Sequence, residues 1–90
     1  KICSTQGNLG QMAKAIEYDE QALAIAREVG DRRGEGNRLG NLGNAYADLG
    51  QVAEAIGYYE QALAIAREIG DRRGEDNHLG NLGSVHYRLG

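Results

Sequence analysis

The side chains best placed for chemistry in this chain of 90 residues are amides. Asn37, Asn41, Asn44 and Asp48 stand four, three and four residues apart, a spacing that puts them on one stripe of an α-helix. Forty residues later the stripe returns as Asn77, Asn81, Ser84 and Arg88. A carboxamide both donates and accepts hydrogen bonds, so a ladder of them suits a peptide backbone of unspecified sequence. Arg38 and His78 stand at the margin of the stripe, where they would add contacts to an acidic group. The competing explanation is that the asparagines are solvated residues kept through duplication. Asn is a mediocre helix former, and Asn41 has no evident capping role, which favours binding.

Other candidate chemistries fail on spacing. His78 and His86 lie eight residues apart, about 12 Å along a helix, too far to share a metal. Ser4, Thr5 and Ser84 have no His and carboxylate at triad spacing. Gly34-x-Gly36 and Gly40-x-x-Gly43 only superficially resemble phosphate loops, because no strand precedes them and no Gly-Lys-Ser/Thr follows. Cys3 is the single cysteine, which excludes an internal disulfide and a cysteine metal site. Glu17, Glu20, Glu54 and Glu60 fall on a solvated helical arc. The expectation is a protein that is not an enzyme and takes no cofactor.

Composition narrows the partners. The formal charge is −3 with no run of Lys or Arg, which argues against nucleic acid. No apolar stretch approaches the roughly 20 residues of a membrane span. No signal peptide is evident, and a cytoplasmic location is expected. The partner expected is therefore a protein or peptide.

The elements that must position the stripe follow from an internal repeat. Residues 11–50 and 51–90 align without a gap at a period of 40, with 28 of 40 positions identical. Such a period means stacked supersecondary units that bury their faces against neighbours. Ala, Leu, Ile, Glu, Gln and Arg dominate between the 14 glycines, and proline is absent, so long helices are unbroken. Asp31 and Asp71 are suitable N-caps for a helix A at about 32–48 and 72–88. Leu49-Gly50 and Leu89-Gly90 mark turns. Helix B occupies about 12–29 and 52–69 and ends at Gly30 and Gly70. Leu9-Gly10 continues the pattern backwards, so residues 1–10 read as a partial helix A. At 100° per residue, Val52, Ala55, Ile56, Tyr59, Ala62, Leu63 and Ala66 share the buried face of helix B. On helix A, Leu39, Leu42, Gly43 and Tyr46 share one side. Gly43 and Gly83 read as points of close helix contact. An ion pair between Glu28 and Arg32 is expected if helicity persists between them.

These residues resemble the tetratricopeptide repeat. Leu39, Leu42-Gly43 and Tyr46 match the first helix of its signature, and Ala55, Tyr59 and Ala62 match the second. Departures are Leu39 in place of Trp, Arg67 in place of the closing proline, Asp19 for the aromatic of the first helix B, and His86 for the tyrosine of the last helix A. The 40-residue period resembles the long-helix variant of LGN-type scaffolds, kinesin light chain and bacterial multi-repeat proteins. The resemblance implies an all-α fold of antiparallel helix pairs stacked as a right-handed superhelix, an α-solenoid fragment spanning residues 1–90. It further implies that the A helices line a concave groove for extended peptides. Asn37, Asn41, Asn44, Asp48, Asn77, Asn81, Ser84 and Arg88 are the groove candidates carried over. The alternative is a structural unit that self-associates through uncapped repeat faces around Leu79 and Leu82, or by exchange of a helix.

Overall fold

The computed structural model describes residues 2–89, and side chains from 10 to 87. The described residues form four α-helices: α1 (Ile2–Val29), α2 (Arg32–Asp48), α3 (Val52–Ile69) and α4 (Arg72–Leu89). Each helix packs on the next, and α2 also touches α4, so the two A helices lie side by side behind α3.

Punctuation sets these boundaries. Gly30, Gly50 and Gly70 adopt positive φ of 79°, 84° and 74°, a conformation in which a Cβ is strained. The amide after Gly30 and Gly70 closes the preceding helix: Asp31 N–H donates to Ala26 O at 2.8 Å, and Asp71 N–H to Ala66 O at 2.8 Å. The same aspartates open the next helix. Asp31 Oδ1 accepts from Gly34 N–H at 3.0 Å, and Asp71 Oδ1 accepts from Gly74 N–H at 3.0 Å. One dipeptide, Gly-Asp, thus ends one helix and starts another.

The first unit departs from the repeat pattern. Leu9-Gly10 does not form a turn, because α1 runs through it and Gly10 is not among the positive-φ glycines. Residues 2–10 are therefore continuous with α1 and do not form a separate partial helix A. A helix A gains most of its stability from a partner face. Within Ile2–Val29 the helix is unbroken, so its interior amides are satisfied by the helix itself.

The core forms where neighbours exist on both sides. Leu39 and Leu42 of α2 are almost wholly buried, packed with Leu23 of α1 and with Ala62 and Ile65 of α3. A second cluster joins Ala47, Ala55, Tyr59 and Val85. Tyr46 and Tyr58 stack with ring centroids 5.3 Å apart, and burial, with Tyr58 beside it, holds the Tyr46 phenol above its ordinary pKa. Ile65, absent from the expected buried face of helix B, is buried because Gly36 of α2 lets it approach. A Cβ at Gly36 would stand 3.2 Å from Ile65 Cγ2.

Candidate functional site

Side by side, α2 and α4 form a groove of about 600 Å³. Its lining combines Asn37, Asn41 and Asn44 of α2 with Asn77 and Asn81 of α4. Five of the eight residues expected from the sequence therefore converge. Arg38, Gly40 and His78 complete it, so the two residues placed at the margin of the stripe stand inside. Asp48 is exposed near the end of α2 and does not line it. Ser84 lines a different concavity, with Gly80, Gly83 and Tyr87. The Arg88 side chain lies outside the described residues.

The spacing of glycines explains why the groove forms. Gly36, Gly40 and Gly43 stand four and three apart, and each receives a side chain from the following unit. A Cβ at Gly40 would stand 2.8 Å from His78 Cε1, and one at Gly43 would stand 2.6 Å from Tyr59 Cε1. The row is legible as a helical stripe of small residues. The sequence marks only Gly43 as a contact point, because Gly36 and Gly40 stand there as superficial phosphate-loop fragments. Gly83, expected to act likewise, would have nothing within 4 Å of an added Cβ.

Electrostatics divides the groove into fixed and available groups. Asn44 Oδ1 accepts from the Tyr59 hydroxyl at 2.5 Å, which pins that amide at the end of the ladder. His78 is buried, and its Nδ1 has no hydrogen-bond partner. Burial pushes its pKa below the ordinary histidine value, against the opposing pull of Asp71. The neutral ring therefore packs against Gly40 without the cost of a buried charge. Arg38 lies 3.7 Å from Asp19 of α1, so the aspartate that replaces the aromatic faces a cation.

Below the groove, ion pairs tie the units together. Arg32 reaches both Glu35 and Glu68, Arg27 pairs with Glu35 at 3.0 Å, and Arg33 with Asp71 at 3.3 Å. Arg32 turns forward to Glu68 instead of back to Glu28, because the left-handed Gly30 ends the helix between Glu28 and Arg32. The hydrogen bond from Arg32 holds the Glu68 carboxyl below its ordinary pKa. Among the described residues, no group of three His, Cys, Asp or Glu is placed to hold a metal ion. No helix among them is long and apolar enough to cross a membrane.

An array of glycine-ended helix pairs with a polar groove along the A helices defines a helical-repeat scaffold. The tetratricopeptide repeat family description matches residues 3–68 and again 37–90. The chain belongs to the tetratricopeptide repeat family, whose arrays serve as protein–protein interaction scaffolds. It is similar to human G-protein-signaling modulator 1, an LGN-type protein, at 45% identity over 47 residues. That match spans 48% of this chain but only 7% of the relative. Designed protein DA05, solved by solution NMR, superposes with a TM-score of 0.84 at 25% identity, over 89% of this chain and 80% of that one.

Proposed function

We propose that the chain binds an extended peptide or a partner helix in the groove between α2 and α4, and does not catalyse a reaction. The observation that carries this reading is the convergence of five asparagines from two helices on one concavity. An extended backbone offers alternating N–H and C=O groups. Asn37, Asn41, Asn77 and Asn81 can answer both without selecting a sequence. A partner's side chains would then be sorted by Arg38 and His78 at the same surface.

The test is a random peptide library displayed on phage and selected on the folded chain. An enriched peptide is titrated against the parent, Asn41→Ala and Asn81→Ala. Each lost hydrogen bond is expected to cost about 1 kcal/mol, or roughly fivefold in Kd, with helicity unchanged. Equal affinity for all three proteins, for every selected peptide, would sink the asparagine ladder.

A second reading, self-association through open repeat faces, is favoured by a specific contrast. Leu39 is 1% exposed, whereas its counterpart Leu79 is 45% exposed.

A further inference from the structure

His78 is a partition between two spaces. It lines the groove between α2 and α4, and it also lines a small cavity behind that groove, with Asn37, Ile65, Ala66 and Asp71 among the other walls. The residue is 9% exposed. Its seat exists because α2 carries glycine opposite: a Cβ at Gly40 would stand 2.8 Å from Cε1 and 3.4 Å from Nδ1. A neutral imidazole carries one N–H, whereas the imidazolium donates from both nitrogens. Nδ1 is buried without a hydrogen-bond partner, so protonation in place would bury a charged donor with nothing to accept from it. That costs more than a neutral orphan. The cavity behind the ring holds about 10 Å³, room for about one water, which is too little to hydrate an ion.

The charges around the ring do not compensate. From α2, Arg33 lines the cavity and Arg38 the groove, both of the same sign as an imidazolium. From α3, the cavity wall is Ala62, Ile65, Ala66 and Ile69, all apolar. Before α4, Asp71 is the carboxylate among the lining residues, and it is engaged. Its Oδ1 accepts from Gly74 N–H at 3.0 Å, and its Oδ2 lies 3.3 Å from Arg33. Glu75, one turn earlier on α4, pairs with Arg67 and Arg72. Burial outweighs the pull of Asp71, and the ring is harder to protonate than an ordinary histidine. The amide-lined groove on the other side is the nearest place where a charged ring regains water.

We infer that His78 is a pH-operated wedge in the groove wall: neutral, it stays seated on Gly40 and leaves the asparagine ladder clear; protonated, it swings into the groove and blocks the peptide. The binding half of this rests on the peptide-groove reading, and the movement of the ring does not. Asn77 and Asn81 flank His78 on α4, with Asn37 and Asn41 across the groove. A ring swung outward therefore enters the span that a peptide backbone would occupy. A peptide lying in the groove also covers what remains exposed of His78, which opposes the charge further. Binding and protonation then exclude one another, and by reciprocity a bound peptide expels the proton. The groove holds its partner at neutral pH and releases it on acidification.

Two measurements separate the ring from the ligand. NMR on the isotope-labelled free chain follows the His78 ring from about pH 7.5 to about pH 5, with circular dichroism confirming that helix persists. The contact between His78 Hε1 and Gly40 Hα is expected at the upper pH and disappears with the midpoint of the ring's own titration. A contact that survives protonation, or a ring that stays neutral throughout, overturns the wedge. Calorimetry then titrates a phage-selected peptide with blocked ends and no acidic or histidine residue, chosen because Asn41→Ala and Asn81→Ala weaken it. Its Kd is expected to be about twofold weaker at the ring's midpoint and to approach about tenfold per pH unit below it. In His78→Gln, which cannot take the proton, Kd stays level over the same range. Gly40→Ala, whose methyl takes the seat, binds weakly already at the upper pH and no longer responds to acid. A level Kd in the parent, or an equal pH dependence in His78→Gln, overturns the obstruction and leaves the groove reading standing. Peptides indifferent to Asn41 and Asn81 defeat the groove reading instead, while the NMR contact still decides the wedge.

Discussion

Gly43 and Gly83 occupy the same position of the repeat, yet alanine is expected to act on them with opposite sign. At Gly43 the new methyl would lie 2.6 and 2.7 Å from Tyr59 Cε1 and Cδ1. Tyr59 is 2% exposed and its hydroxyl is bonded to Asn44, so the ring has little freedom to yield. Overpacking of this kind costs about 1–3 kcal/mol. Swinging the ring away would forfeit a hydrogen bond of about 1 kcal/mol. Against this stands the helix-propensity gain of about 0.5–1 kcal/mol for replacing glycine. Gly43→Ala is therefore expected to lose on the order of 1 kcal/mol and at most about 2.5, the overpacking cost less that gain. At Gly83 nothing lies within 4 Å, so only the propensity gain remains and Gly83→Ala is stabilised. The assay is urea unfolding followed by helical circular dichroism, in dilute protein so that stacking does not contribute. With a slope of about 1 kcal/mol per molar urea, the two midpoints should separate by roughly 2 M, on opposite sides of the parent. Equal shifts in the same direction would refute the close approach of α2 and α3 at Gly43.

Further outcomes follow from the caps and the buried imidazole. Because burial lowers the folded pKa of His78 from 6.5, its contribution to stability is complete above pH 6.5 and shrinks as pH falls below it. The urea midpoint should drop between about pH 7.5 and 5.5, and His78→Gln should flatten that drop. An unchanged slope in the variant would assign the pH dependence to other groups. Asp31→Ala and Asp71→Ala each remove an N-cap, at about 0.5–2 kcal/mol. Asp71→Ala should cost more in thermal unfolding, since Asp71 also holds Arg33 at 3.3 Å. Equal losses would mean that the Arg33 pair contributes nothing measurable.

The helices were legible because their determinants are local. A left-handed glycine, a capping aspartate and 3.6-residue periodicity act within a turn or two of chain, so the spans of α2, α3 and α4 follow from the sequence. The asparagine stripe was legible for the same reason, since its spacing alone puts it on one face.

Burial, by contrast, depends on which neighbour is present, and near-identical units carry no local mark of that. Gly43 meets a tyrosine while Gly83 meets open space, although both sit in the same Leu-Gly context. Arg32 chooses Glu68 over Glu28 because a glycine redirects the chain and the next unit brings an equivalent carboxylate within reach. His78 moves from the margin of a stripe to the wall of a groove because Gly40 yields it room. Leu9-Gly10 repeats the Leu-Gly pair of the turn at Leu49-Gly50, yet α1 runs straight through it. The sequence by itself determined the repeat, its helices and the polar face. Which faces are covered, and by which side chains, was decided by tertiary structure, because contact energy belongs to pairs of surfaces and not to either one alone.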